Sequence, residues 1–364
     1  MKRLLCIVSA MNTGGAETFL MKIYRRLDRG KHQMDFCVNT KEKCFYDDEI
    51  RGLGGRIFYV PAKSKSFKEY KKALYDTVKN NGYEYVLRIT SNAAGFLDLK
   101  IAKDAGARVC VARSSNSSDG DNAVVNIIHK ISRPLFSRYV DVKIAPSDLA
   151  AEYTFGKKAV KKGMVAELNN AIDLGVYKYS EEARDEIRRE LFLEGKTVIG
   201  HIGRFSKQKN HDFLIDIFSK IREKDENAHL LLLGKGELLD EVKKKVENCG
   251  LSEDVTFEGV RADIPRVLSA IDVFLLPSFY EGMPNTVIEA QATGLPCVIS
   301  DAVTRGANVA GIVSYLSLDD PAEKWADVVL DKKGARVNTE KIMREKGYDI
   351  ESSVKRFVEM IFER

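Results

Sequence analysis

Six cysteines in 364 residues, with no CxxC pair among them, supply no thiolate cage, and the five histidines show no HExxH or similar ligand spacing. A bound metal is not expected. Cys6, Cys37, Cys44, Cys110, Cys249 and Cys297 fall largely in apolar, strand-like runs and read as reduced core residues of a cytoplasmic protein. No run of about 18 apolar residues exists, which excludes a spanning helix, and MKRLLCIVSAMNTGG turns polar too early for a signal peptide. A Walker phosphate loop is missing, and the GGAE loop fails GxGxxG, so a nicotinamide cofactor has little support. Without an RNP-like or zinc-finger signature, a nucleic-acid partner is not expected either.

The charge that is present is unevenly shared. Residues 1–172 carry 30 Lys/Arg against 18 Asp/Glu, whereas residues 173–364 carry 28 against 35. A basic first half in a chain with no nucleic-acid motif points to phosphorylated ligands or to an anionic membrane surface. The lysines of PAKSKSFKEYKKALYDTVK read as a solvated face, and Lys65, Lys68, Lys71 and Lys72 are the first candidates for a membrane-facing patch.

Length and pattern predict two α/β domains. Strands are expected at Arg3–Ser9, Met34–Val38, Tyr85–Ile89, Arg108–Ala112 and Val142–Ala145, with a loop from Ala10 to Gly15, a helix after it to about Leu27 and another at Phe67–Lys79. The second half repeats the plan: strands at Thr197–Ile202, His229–Leu233, Val255–Glu258, Asp272–Leu276 and Cys297–Ser300, with helices between them. Strands alternating with helices imply parallel sheets. The expected division is 1–172 and 173–350, with a last amphipathic segment, about 351–364, returning to pack on the first half.

One stretch concentrates chemistry. In YEGMPNTVIEAQATGLPCVIS, Glu281 lies in the loop after a buried strand, Pro284 suits the first turn of a helix, and Gly294 with Pro296 stops it. Glu289 lies about a turn inside that helix. A helix N-terminus at the carboxyl end of a strand attracts phosphate, and carboxylates accept hydrogen bonds from vicinal hydroxyls. A pair flanking an anion site fits a nucleotide-sugar; a solvated loop glutamate and a surface helix glutamate are the plainer alternative. Upstream, Arg204 follows a strand and Lys209 opens the next helix, a fork and a point charge that both suit a diphosphate.

Together with LLLLGKGEL, FEGVRADIP and NNAID, these segments resemble the family 4 retaining glycosyltransferases (glycosyl transferases group 1) of the GT-B fold, and are similar to bacterial capsular and exopolysaccharide transferases. The likeness covers essentially the whole chain. It implies two Rossmann-like, doubly wound parallel-sheet domains facing across a cleft, the donor held mainly by the second and the acceptor by the first. Arg204 and Lys209 match the diphosphate clamp, Glu289 the ribose ligand, and Glu281 the acid facing the donor sugar, so Glu281, Arg204 and Lys209 carry the catalytic role. Gly282 and Met283 match positions whose backbone N–H groups meet phosphate or sugar, and Pro284 and Asn285 lie beside them on the donor-binding side. Gly14 and Gly15 match the loop that closes over the donor, and Val260 and Arg261 lie near the base pocket. Implied partners are a nucleotide-diphosphate sugar, with UDP as the nucleotide, and a lipid-linked or oligosaccharide acceptor; no cofactor is implied.

The chain departs from the family where similar transferases often read AHSHN: here stand Ala112, Arg113, Ser114, Ser115 and Asn116. Arg113, Ser115 and Asn116 are candidates for the sugar or acceptor side, and for Arg113 a phosphate or carboxylate ligand and a plain surface residue stand side by side. Asp119-Gly120-Asp121 imitates a metal-binding DxD but reads as a turn. Two other readings remain open: a GT-B-fold nucleotide-sugar epimerase, and a catalytically silent nucleotide-sugar-binding protein. The expected setting is the cytoplasm, peripheral to the inner face of the membrane.

Overall fold

The computed structural model describes residues 1–115 and 123–363. The chain divides into two compact units, Met1–Ala171 with Gly347–Arg364, and Ile172–Lys346.

The first unit runs β1 (Lys2–Ile7), α1 (Gly15–Arg26), β2 (His32–Val38), α2 (Asp47–Gly52), β3 (Ile57–Tyr59), α3 (Phe67–Asn80), β4 (Tyr85–Thr90), α4 (Phe96–Asp104), β5 (Val109–Ser114), α5 (Ala123–Phe136), β6 (Val142–Ala145), α6 (Asp148–Phe155), α7 (Lys157–Lys161) and β7 (Ala166–Glu167). The second runs α8 (Glu181–Glu190), β8 (Thr197–Ile202), α9 (His211–Lys224), β9 (Ala228–Leu233), α10 (Leu239–Asn248), β10 (Val255–Gly259), α11 (Ile264–Ala270), β11 (Val273–Leu276), α12 (Asn285–Ala292), β12 (Cys297–Ser300), β13 (Val313–Leu316), α13 (Ala322–Asp331) and α14 (Glu340–Glu345). The last helix, α15 (Ile350–Phe362), belongs to the first unit.

The first sheet has the order β3-β2-β1-β4-β5-β6-β7 and the second β10-β9-β8-β11-β12-β13. All paired strands are parallel. Each sheet therefore reverses its winding beside its first strand, at β1/β4 and at β8/β11, and the crevice beyond the carboxyl ends of such strands is where doubly wound folds take ligands.

Parallel strands are buried on both faces, and their alternating side chains feed two cores. In β1, Leu4 and Cys6 pack with Phe19, Ile23 and Tyr24 of α1 and Phe357 and Phe362 of α15, while Leu5 and Ile7 face Tyr70, Leu74 and Phe96. In β9, Leu230 and Leu232 pack towards Trp325, and Leu231 and Leu233 towards Val287 and Leu295.

The helix after Glu281 begins at Asn285 with Pro284 as its N-cap, and ends at Thr293 with Gly294 at φ +70°. Five cysteines are buried; Cys249 is exposed just past α10, so it is not a core residue. Burial pushes the Cys37 and Cys110 thiols up to about 12. Among the described residues no helix is long and apolar enough to cross a membrane.

Candidate active site

The second unit's switch point is built from two loops. After β8, Gly203–Ser206 leads into a 3-10 turn, Lys207–Lys209, and Asn210 at φ +54° launches α9. Asparagine tolerates this left-handed geometry where most side chains would not. After β11 comes the loop carrying Glu281. The two are laced together: Phe279 N–H donates to the Gln208 carbonyl at 2.9 Å, and Gln208 Nε2 donates to the Tyr280 carbonyl at 2.9 Å. At their junction Lys209 Nζ meets Glu281 Oε1 at 2.6 Å, the two side chains only 15 % and 11 % exposed. An ammonium has three donors, so Lys209 keeps two for an incoming anion while it holds one oxygen of Glu281 in place.

Arg204 stands apart from that pair. It is exposed and bonds Glu237 at 3.0 Å, in the loop after β9. An ion pair this exposed holds its partners weakly, so Arg204 can exchange Glu237 for a phosphate at small cost. The β9 loop lies directly against Arg204's own: Phe205 N–H donates to the Lys235 carbonyl at 3.1 Å, and Leu238 N–H to the Phe205 carbonyl at 3.0 Å. Gly234, at φ +138°, makes this approach possible, since a Cβ there would land on the Gly203 carbonyl.

Glu289 is half-buried on α12, where the Tyr177 hydroxyl bonds it; burial first, then this carboxylate, push the Tyr177 phenol up. Gly282 is exposed and Met283 half-buried before the helix start. Val260 is exposed, whereas the Arg261 guanidinium is taken up by Asp263 at 2.8 Å, Glu190 at 2.7 Å and Glu258 at 3.1 Å. Its side chain braces the β10 loop, leaving Val260 and backbone as the groups that face outward.

Beneath the Lys209–Glu281 pair lie two histidines, His201 near the end of β8 and His211 at the start of α9. The His201 ring Nδ1 lies 2.9 Å from the Leu275 carbonyl, which makes that nitrogen the protonated donor. His211 stacks on Phe205 with ring centroids 4.2 Å apart and touches His201 edge-on at 4.7 Å. Burial holds the His201 ring well below the usual histidine value and His211 down to about 4, with the Lys209 charge adding to both. Both rings are neutral packing groups beneath the site. Tyr177 and His201 carried no local sequence signal, because their partners Glu289 and Leu275 lie far along the chain.

A cavity of about 510 Å³ lies at the other end of the second sheet, below Asp272 and beside Arg184 and Arg336. These arginines are engaged structurally: Arg336 donates to the carbonyls of Thr293, Leu268 and Ile271, and Arg184 pairs with Asp272 at 2.6 Å.

In the first unit, Gly14 caps α1 and Gly15 opens it. A cavity of about 290 Å³ at the β1/β4 switch point is lined by Glu17, Lys63, Arg88, Thr90, Asn92 and Ser115. Lys63 and Arg88 both pair with the buried Asp98, at 2.7 and 3.0 Å. Ser115 thus joins a polar pocket, but Arg113 does not. Arg113 shares with Val111 the β5 face that packs against Phe19 of α1, where it is 2 % exposed, so the surface reading is incorrect. Its guanidinium lies over the Phe19 ring at 3.6 Å and donates to Asn170 Oδ1 at 2.6 Å, with no carboxylate partner among the described residues. Burial lowers it to about 9. Asn116 and the Asp119–Asp121 turn lie outside the described residues. Among the described residues no group of three His, Cys, Asp or Glu side chains is placed to hold a metal ion.

Known proteins resemble this chain in sequence and in fold. Residues 196–331 match the family model of glycosyl transferases group 1. The putative glycosyltransferase EpsF of Bacillus subtilis (strain 168) is 34% identical over 363 residues, covering 97% of this chain and 94% of the relative. The UDP-Gal:alpha-D-GlcNAc-diphosphoundecaprenol alpha-1,3-galactosyltransferase of Escherichia coli is 26% identical over 269 residues, covering 71% and 68%. Anabaena HepE, solved in complex with UDP, superposes with a TM-score of 0.78 at 19% identity, over 99% of both chains, a likeness of fold. With one relative matching end to end and the second half matching the family model, the chain belongs to the glycosyl transferases group 1 family and is a glycosyltransferase of GT-B architecture.

Proposed function

We propose that this protein is a family 4 retaining transferase that moves a sugar from a UDP-sugar to a lipid-linked or oligosaccharide acceptor in surface polysaccharide synthesis, without a bound metal. The observation that carries the reading is the Lys209–Glu281 pair at 2.6 Å, where two strand-end loops meet in front of α12. Lys209 and Arg204 take the diphosphate in front of the α12 N-terminus, Glu281 presents its other oxygen to sugar hydroxyls, and Glu289, oriented by Tyr177, takes the ribose. Charge of this kind, fixed before the reaction, stabilises the departing diphosphate without reorganisation.

In the transfer, the bond from the anomeric carbon to the β-phosphate oxygen breaks and the acceptor oxygen bonds that carbon on the same face. The acceptor's proton passes to the leaving phosphate oxygen, so atoms and charge balance. The relatives named for polysaccharide or diphosphoundecaprenol substrates support this class of acceptor.

Product analysis tests the reading. Purified protein given UDP-sugars and a sugar-diphosphate-lipid acceptor should yield a lengthened glycan with the donor's anomeric configuration, and should do so in excess chelator. A new nucleotide-sugar with no glycan product would make it an epimerase. Abolition by chelator with rescue by manganese would overturn metal independence.

A further inference from the structure

The helix α5 is inside out. Val124, Ile127, Ile128, Ile131 and Leu135, spaced to share one helical face, are 46 to 65 % exposed. The face turned into the protein carries His129 and Ser132 instead. Apart from Phe136 at its end, which packs against the apolar core, the helix makes polar contacts inward: His129 Nδ1 accepts the Ala93 N–H at 3.0 Å and its ring stacks on Tyr153, while Arg133 donates to the Tyr153 carbonyl at 3.4 Å. A surface helix ordinarily does the reverse, burying its apolar stripe. Five aliphatic side chains in one continuous exposed stripe are a cost in water that a binding surface offsets.

The flanks say what covers it. The helix α5 has no acidic residue. Lys130 is exposed on it, and Arg138 is exposed just beyond its end. Arg133 lies 3.5 Å from where a Gly156 Cβ would stand, which brings the start of α7 alongside. There Lys158, Lys161 and Lys162 are exposed and have no carboxylate partner among the described residues. Protein interfaces favour tyrosine, tryptophan and arginine and are poor in lysine. A wholly aliphatic stripe bordered by unpaired lysines fits a lipid surface, where the apolar face enters the boundary of the acyl chains and the lysines meet anionic headgroups.

We propose that α5, with the lysines of α7, docks the first unit on an anionic bilayer. We place the docking face on α5 rather than on the α3 lysines, because α3 buries its apolar face, Tyr70, Leu74 and Val78, and turns Lys68, Lys71 and Lys72 to solvent as an ordinary amphipathic helix. The proposal deepens the reading of a lipid-linked acceptor and rests on it for its purpose, since docking brings the enzyme to the layer that carries such an acceptor.

Co-sedimentation of the full chain with vesicles tests it. Wild type should partition at least about tenfold more strongly to phosphatidylethanolamine–phosphatidylglycerol vesicles than to phosphatidylcholine vesicles, and less in high salt. Ile127→Ser with Ile131→Ser should weaken partitioning about tenfold or more at every salt. Lys158→Ala with Lys161→Ala and Lys162→Ala should remove the preference for anionic vesicles, and Lys68→Ala with Lys71→Ala and Lys72→Ala should change nothing. UDP affinity, measured on each variant, should match wild type, which keeps the transferase reading separate from this one. A stripe variant that partitions like wild type would overturn the proposal. So would vesicle-independent dimers in sedimentation velocity that the stripe variant abolishes, because the stripe would then pair two copies of the chain.

Discussion

Arg113 sits where a buried positive charge has no matching negative one. Phe19 and the Asn170 amide oxygen are its main partners, and they offset only part of the cost of removing a guanidinium from water. Burial brings its pKa down to about 9, well below the ordinary value of a guanidinium in water. The penalty is therefore full below about pH 9, where both states carry the proton, and is relieved only as pH rises from there. Arg113→Met keeps length and the contact with Phe19 while deleting the charge. It should stabilise the protein by about 1 to 3 kcal/mol, read as a thermal midpoint several degrees higher. Turnover should fall at the same time if the charge is retained for an anionic substrate. A lower midpoint would mean that the Phe19 and Asn170 contacts outweigh the desolvation.

At the scale of elements, the close crossing of the loops after β8 and β9 carries the donor side of the site. Gly234→Ala would place a methyl group on the Gly203 carbonyl and strain a backbone at φ +138°. The expected result is destabilisation by about 1 to 3 kcal/mol with weaker UDP binding, because Arg204 lies in the displaced loop. Calorimetry and thermal melts on the same variant check both halves of that expectation. The strands Val142–Ala145, Thr197–Ile202 and Cys297–Ser300 were legible to the residue, since each is a short apolar run ended by turn chemistry. The strands β3, β7 and β13 were not, being two to four residues long and only partly buried, so that neighbouring strands rather than their own pattern hold them. The helix α5 escaped notice because it follows the turn-like SSNSSDGDN and its apolar face points the wrong way for a core. In the site, the placement of Lys209 and Glu281 at loop–helix junctions could be read locally. Their direct contact could not, because they are separated by 72 positions in the chain. Of the three carboxylates that hold Arg261, Glu258 and Asp263 are its sequence neighbours, and only Glu190 was hidden by distance along the chain.

For the molecule as a whole, acid is the condition that exposes its packing. The second unit buries His201, His211 and His229, with burial holding His211 and His229 down to about 4 and His201 well below its usual value. The folded pKa values lie below the unfolded value of about 6.5, so the unfolded chain gains protons first as pH falls. Their contribution is complete above about pH 6.5 and is lost between there and pH 4, at on the order of 1.4 kcal/mol per pH unit for each ring. Thermal melts at about pH 7.5 and 5.5 should differ by several degrees, and His211→Phe, which preserves the stack on Phe205, should shrink the difference. An unchanged gap would remove His211 from the acid response.

The central claim is that Lys209 and Glu281 form the working pair of a nucleotide-sugar site, and titration calorimetry with UDP tests it most directly. Wild type should bind; Lys209→Ala should lose about 1.5 to 3 kcal/mol, on the order of tenfold to a hundredfold in affinity, while Glu281→Ala stays within a few-fold of wild type for UDP and loses the added affinity of a UDP-sugar. Lys209→Ala binding UDP as tightly as wild type, or wild type failing to bind any nucleoside diphosphate, would contradict the account.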